Sequence, residues 1–275
     1  MTGLELAPAT LALLALAVAA TGALAGILSG LLGVGGGIAI VPMLFYVFTL
    51  LGLEPGLVMP MAVGTSLATI LPTTLRSALA HHRRGAVDTE LLRRWAPAML
   101  AGAVLGLVLA GLGGGRLMLA VFAVVAMLFA LNLAFGRAHW RLAESPPQGP
   151  VWPAIGFAIA AVSTMMGIGA GTLGVTTLTL VGVTIRRAVA TAAALGPAIA
   201  LPGAVGLAAL GWGVPARPPL SIGYISLIGV ALIVPASLAT APLGVRLAHR
   251  IDPRLLRRAF AVFLTITALR MVFEL

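Results

Sequence analysis

The 275-residue chain contains no cysteine and no lysine, has only 7 acidic residues, and carries aromatic side chains at 5% of its positions. Without cysteine there is no disulfide, no thiol nucleophile and no thiolate-held metal. Charged residues make up 9% of the chain and hydrophobic ones 60%, whereas a soluble domain is about a quarter charged. That balance excludes an ordinary soluble globule and a disordered chain. The acidic residues, Glu5, Glu54, Asp88, Glu90, Glu144, Asp252 and Glu274, all fall in loops or near the termini. No carboxylate therefore stands deep in an apolar run to relay protons or hold Na+, which argues against cation transport. The same lack argues against an intramembrane enzyme, which needs an acid/base pair, a metal cluster or an activated nucleophile within its spans. His81, His82, His139 and His249 sit in or beside basic loops without the paired spacing and carboxylates of a metal site. No metal and no cofactor is expected.

What the chain does have is length enough for about 10 apolar segments at roughly 20 residues per membrane span. The runs cover, approximately, 10–32, 38–53, 57–80, 95–112, 117–136, 151–166, 172–185, 188–210, 221–243 and 259–273. The first lacks the basic start of a secretory leader and carries only Glu5 ahead of it, so it is read as the first membrane segment. The expected fold is all-α and integral to the membrane, with the lipid bilayer as the main partner.

Two short runs occupy corresponding places. Segment 38–53 follows Gly33, Gly35, Gly36 and Gly37, and segment 172–185 follows Gly167, Gly169 and Gly171. The stretch Gly30–Ile40 matches Thr164–Gly174, so that Gly33, Gly35 and Gly37 fall on Gly167, Gly169 and Gly171. Further on, Ala62–Ala68 matches Ala188–Ala194 and places Thr65 on Thr191. Two five-segment units are expected, 1–136 and 137–275, joined by the polar stretch Gly136–Pro150 and working as one transport domain.

All 17 basic residues are arginine, and the formal net charge is +10. In a soluble protein this would suggest nucleic acid. Here most arginines lie in short loops between apolar runs, where positive charge sets orientation in the membrane, so no nucleic-acid partner is expected. The loop 81–94 holds four arginines and the loop 244–258 five, while their repeat equivalents, 211–220 and 113–116, hold only Arg217 and Arg116. Equivalent loops thus carry opposite charge densities, which predicts an inverted repeat with 81–94, 137–150 and 244–258 cytoplasmic and both termini outside. Inverted repeats with interrupted helices are a transporter architecture whose substrate site lies near the midplane.

A helix interrupted in the membrane exposes backbone groups that lipid cannot satisfy, so the break must be buried or line a polar cavity. The helix starting after each break, near Ile38 and Thr172, presents free N–H groups suited to an anion. The alternative is that these glycines serve only close helix packing. A nucleotide-binding loop does not fit, because no strand precedes Gly33 and no Lys-Ser or Lys-Thr follows Gly37. Hydroxyls are the main polar groups inside the runs, and membrane Ser and Thr commonly bond their own helix. Gly64-Thr65-Ser66 is the preferred cradle, with Thr172 and Thr191 beside it. Arg76 lies a few residues before His81-His82-Arg83-Arg84, where it either reaches the interface along its stem or draws anions into the cytoplasmic mouth. The candidate binding set is Gly33, Gly35, Gly36, Gly37, Gly64, Thr65, Ser66, Gly167, Gly169, Gly171, Thr172 and Thr191, with Arg76 assisting access.

The pattern G-x-G-G-G-x-x-x-x-P from Gly33 to Pro42, the Gly64-Thr65-Ser66 step and the weaker second copy from Gly167 resemble the TauE/SafE sulfite exporter family. The resemblance spans essentially the whole chain. The second half departs from it at Ala170, at Thr176 opposite Pro42, and at Ala190-Thr191-Ala192 opposite Gly-Thr-Ser. It implies a secondary transporter of the bacterial cytoplasmic (inner) membrane whose substrate is a small anion such as sulfite or an organosulfonate. The competing class is a non-transporting membrane scaffold or assembly factor, which would need a docking surface that short basic loops do not offer. Neither the particular anion nor the oligomeric state is written in the residues.

Overall fold

The structure is a computed structural model, and it describes residues 8–32, 36–135, 142–248 and 253–274. Nine helices account for nearly all of them: α1 (Pro8–Leu32), α2 (Gly37–Leu50), α3 (Pro55–Arg83), α4 (Thr89–Phe135), α5 (Val151–Met166), α6 (Gly171–Leu180), α7 (Ile185–Leu210), α8 (Leu227–Ala248) and α9 (Pro253–Phe273). The all-α expectation holds. Four stretches, Pro55–Arg83, Thr89–Phe135, Ile185–Leu210 and Leu227–Gly244, are long and apolar enough to cross a membrane, and several shorter apolar helices accompany them. Large apolar side chains such as Val104 (54% exposed), Leu112 (82%) and Leu128 (60%) face outward. A protein surrounded by water would not leave so many uncovered, whereas lipid accepts them.

The helices end where local chemistry ends them. Gly114 takes φ 59° and ψ −162° inside α4 and breaks it between the expected runs 95–112 and 117–136. Gly167 closes α5 in the left-handed region, its N–H returning to the carbonyls of Ser163 and Thr164, an ending glycine adopts without a Cβ penalty. One expected run is shortened. Residues 221–226 are not helical: Ser221–Ile222 (β1) and Ile225–Ser226 (β2) pair antiparallel, with Gly223 at φ 54° making the turn. The β-branched Ile222 and Ile225 suit the pleat, and the Tyr224 N–H bonds the Leu207 carbonyl, which fastens the hairpin to α7. Helix α8 then begins at Leu227.

Packing follows the glycines. Gly22 of α1 lies against Ile233 of α8, and Gly26 against Ser237, so these helices run parallel. Gly102 and Gly106 of α4 lie against the carbonyls of Phe157 and Ala161 of α5, a second parallel pair. In both, small residues four apart let backbones approach, as in membrane helix pairs. The central pair, α3 and α7, is antiparallel: Gly196 meets Thr74 while Gly203 meets Leu67. Trp95 and Trp152, with ring centroids 4.6 Å apart, fill the start of the α4–α5 seam.

Candidate functional site

The two glycine breaks come together against the middle of α3. A Cβ on Gly37 would lie 3.0 Å from the Gly167 carbonyl oxygen, 3.1 Å from Ile168 Cα and against the Ile70 side chain; one on Gly169 would lie 3.1 Å from Ile70 Cγ2. Ile70, one residue past the midpoint of the 29-residue α3, thus packs against both breaks where they meet. Gly36, the residue before α2, backs onto Ala25 of α1, where an added Cβ would lie 3.0 Å from the alanine methyl. Gly33 and Gly35 lie outside the described residues.

Each break launches a helix with no side-chain cap. The N-cap positions are Gly36 for α2 and Ala170 for α6, neither of which has a polar side-chain atom. Helix starts leave their first N–H groups without intrahelical acceptors, and both starts are buried: Gly37 and Ile38 on one side, Ile168, Ala170 and Thr172 on the other. Gly171 opens α6, and Thr172 is its second residue, with a side chain 1% exposed.

The hydroxyls divide into two kinds. Those of Thr69, Thr73, Thr74, Thr164, Thr176 and Thr179 turn back on carbonyls of their own helix, the ordinary membrane use. Among the described residues, four others reach across the chain, one of them Thr240 Oγ1, which donates to the Ala23 carbonyl at 2.8 Å and ties α8 to α1. Ser66 Oγ donates to the Gly167 carbonyl at 2.7 Å and ties α3 to the second break. Thr65 Oγ1 accepts the Ser226 N–H at 3.0 Å, and Thr191 Oγ1 accepts the Asp88 N–H at 3.0 Å. Gly64 lies directly against the Tyr224 carbonyl, which lets the hairpin approach α3. The structure therefore brings Gly36, Gly37, Ser66, Gly167, Gly169, Gly171 and Thr172 together, while Gly64 and Thr65 face the hairpin, and Thr191 faces the start of α4. Arg76 sits on the exposed face of α3, two turns before its end.

One pairing escaped the sequence reading. Asp88 and Arg187 form an ion pair at 3.3 Å, side chains 24% and 61% exposed, between the loop before α4 and the first turn of α7. The signal available was the doublet Arg186-Arg187 opening an apolar run in a chain with only 7 acidic residues. A cavity of about 360 Å³ lies away from the breaks, beside Pro55, Met59, Gly115, Arg116 and Glu274.

Long apolar helices with large apolar side chains turned outward define a multi-pass membrane protein. The family model for the sulfite exporter TauE/SafE matches residues 18–271. A "Probable membrane transporter protein" of Haemophilus influenzae is 34% identical over 255 residues, 91% of this chain and 95% of the relative. One of Methanocaldococcus jannaschii is 25% identical over 261 residues, covering 91% and 92%. One of Bacillus subtilis is 28% identical over 170 residues, covering 55% and 62%. No solved structure matches the chain significantly. The chain belongs to the TauE/SafE sulfite exporter family and is a membrane transporter.

Proposed function

We propose that the protein is a secondary transporter exporting a small oxyanion, sulfite or an organosulfonate, across the cytoplasmic membrane. The observation that carries this reading is the meeting of two buried helix starts that have no side-chain cap. Backbone N–H groups and the helix dipole at such a place favour negative charge. With Ser66 engaged by Gly167 and Thr65 by Ser226, the main anion donors are the N–H groups of the first turns of α2 and α6. N–H donors hold a partly dehydrated oxyanion less tightly than a buried arginine, and turnover needs that weakness.

The same reading makes residues 1–136 and 137–275 inverted repeats. It is supported by the parallel pairs α1–α8 and α5–α4, which become equivalent when α1 is laid on α5 and α8 on the first part of α4. The antiparallel α3–α7 pair then lies on the pseudo-axis. Export agrees with the lack of buried carboxylates, because each negative charge leaving a negative cytoplasm gains about 2.3 kcal/mol per 100 mV. Efflux then needs no coupled cation.

The test is flux of labelled sulfite from proteoliposomes containing only this protein, with an imposed potential. Efflux accelerated by an inside-negative potential, with alkyl sulfonates competing, is expected. No protein-dependent flux of sulfite or any sulfonate rejects the proposed cargo.

A further inference from the structure

Thr65 and Thr191 occupy equivalent places in the two halves, and the structure gives them equivalent partners. Thr65, on α3, accepts the N–H of Ser226, the residue immediately before α8. Thr191, on α7, accepts the N–H of Asp88, the residue immediately before α4. Both partners then cap the helix they precede: Ser226 Oγ accepts the Gly229 N–H at 3.1 Å and Asp88 Oδ1 accepts the Leu91 N–H at 3.1 Å. Each threonine hydroxyl therefore grips, from the opposite half of the chain, the capping residue of a long helix. Both hydroxyl-bearing residues are fully buried, so water does not replace the bond cheaply when it breaks.

The two grips lie far apart. In the antiparallel α3–α7 register fixed by Gly196 at Thr74 and Gly203 at Leu67, Thr191 is level with residue 79 of α3. At 1.5 Å per residue that is about 21 Å from Thr65. They also differ in one respect, since only the Asp88 grip carries an ion pair, to Arg187.

We propose that Thr65 and Thr191 are positioning residues forming matched latches, one toward each end of the central helix pair, and that Asp88–Arg187 gives the second latch a salt-dependent reinforcement the first lacks. Each latch fixes the start of one long helix against the other half. Releasing one loosens that end alone. The role in alternating access rests on the transport reading above; the latch itself does not, and its test needs no substrate.

The absence of cysteine makes the test direct. Leu91→Cys and Ile225→Cys place single thiols beside the two latches, at residues 6% and 9% exposed. Their labelling rates with a charged maleimide are measured in nanodiscs, where both faces meet the reagent. Thr191→Val should speed labelling at position 91 about five-fold, the effect of one buried hydrogen bond, and leave position 225 unchanged. Thr65→Val should do the reverse, and Thr191→Ser, which keeps the hydroxyl, should restore protection. Arg187→Gln should speed position 91 roughly two-fold at low salt, with parent and variant converging at high salt. Unchanged labelling at 91 in Thr191→Val, or equal acceleration at both positions, overturns the proposal. If Thr191→Val does not fold, the Arg187→Gln and salt measurements decide it, a salt-independent rate at 91 counting against. Latches that respond as stated in a protein without anion flux would refute the anion-export reading and leave the latches standing.

Discussion

Replacing Gly167 and Gly169 by alanine, one at a time, separates the conformational need for glycine at the second break from its closeness to a ligand. Gly167 has φ 70°, and an added Cβ would lie 2.8 Å from Val41 Cγ2 and 2.9 Å from Val63 Cα. The left-handed conformation costs alanine about 1–2 kcal/mol. Pressing on the Val63 backbone adds about 1–3 kcal/mol of overpacking. Gly167→Ala should therefore lose about 3 kcal/mol of stability. Gly169 has no such φ, and its added Cβ meets only Ile70 Cγ2, at 3.1 Å. Alanine there should change stability by less than about 1 kcal/mol, since a side chain can give way and the unfolded chain loses freedom. If the anion passes between the breaks, the added methyl group stands in its way, so Gly169→Ala should cut sulfite flux several-fold at equal protein in the membrane. Thermal unfolding in detergent and flux in proteoliposomes read the two effects separately. Wild-type flux in a stable Gly169→Ala protein would return this glycine to a packing role and remove the second break from the transport path.

Two further outcomes are expected. Single cysteines at Gly114 and at Glu90, whose side chain is 75% exposed, should be modified by an impermeant reagent from opposite sides of intact cells, Gly114 from outside; modification of both from the same side rejects the inverted repeat. Arg76→Gln, on an exposed face, should lower flux at low ionic strength and approach the parent rate as salt screens the charge; an equal loss at all salt concentrations would make Arg76 a ligand or a structural residue.

Much of the fold was legible because membrane helices announce themselves. The runs 151–166 and 188–210 end where α5 and α7 end, and glycine clusters mark the breaks, since little else can turn a chain there. The hairpin at 221–226 was hidden because Ile222, Tyr224 and Ile225 are as apolar as a helix. Only the positive φ of Gly223 and the Tyr224 N–H bond to the Leu207 carbonyl of α7 decide otherwise. Composition measures how much a segment avoids water, and it does not say which backbone acceptor stands nearby.

The candidate site was legible in position more than in role. Repeat alignment puts Thr65 on Thr191 and offers both as anion ligands, because a sequence gives no way to see which backbone N–H needs an acceptor. The start of α8 and the start of α4 are remote in sequence, 161 and 103 residues from the threonines they bond. Such bonds are set by the way one half docks on the other, and a pattern within either half is blind to them. The same docking explains why the arginine count missed its most informative member: Arg187 matters through Asp88, across the boundary between halves. If the halves move during transport, the residues spanning that boundary must break and reform their contacts. The anion ligands are then sought among the backbone groups at the breaks, and the paired threonines among the parts that decide which end is open.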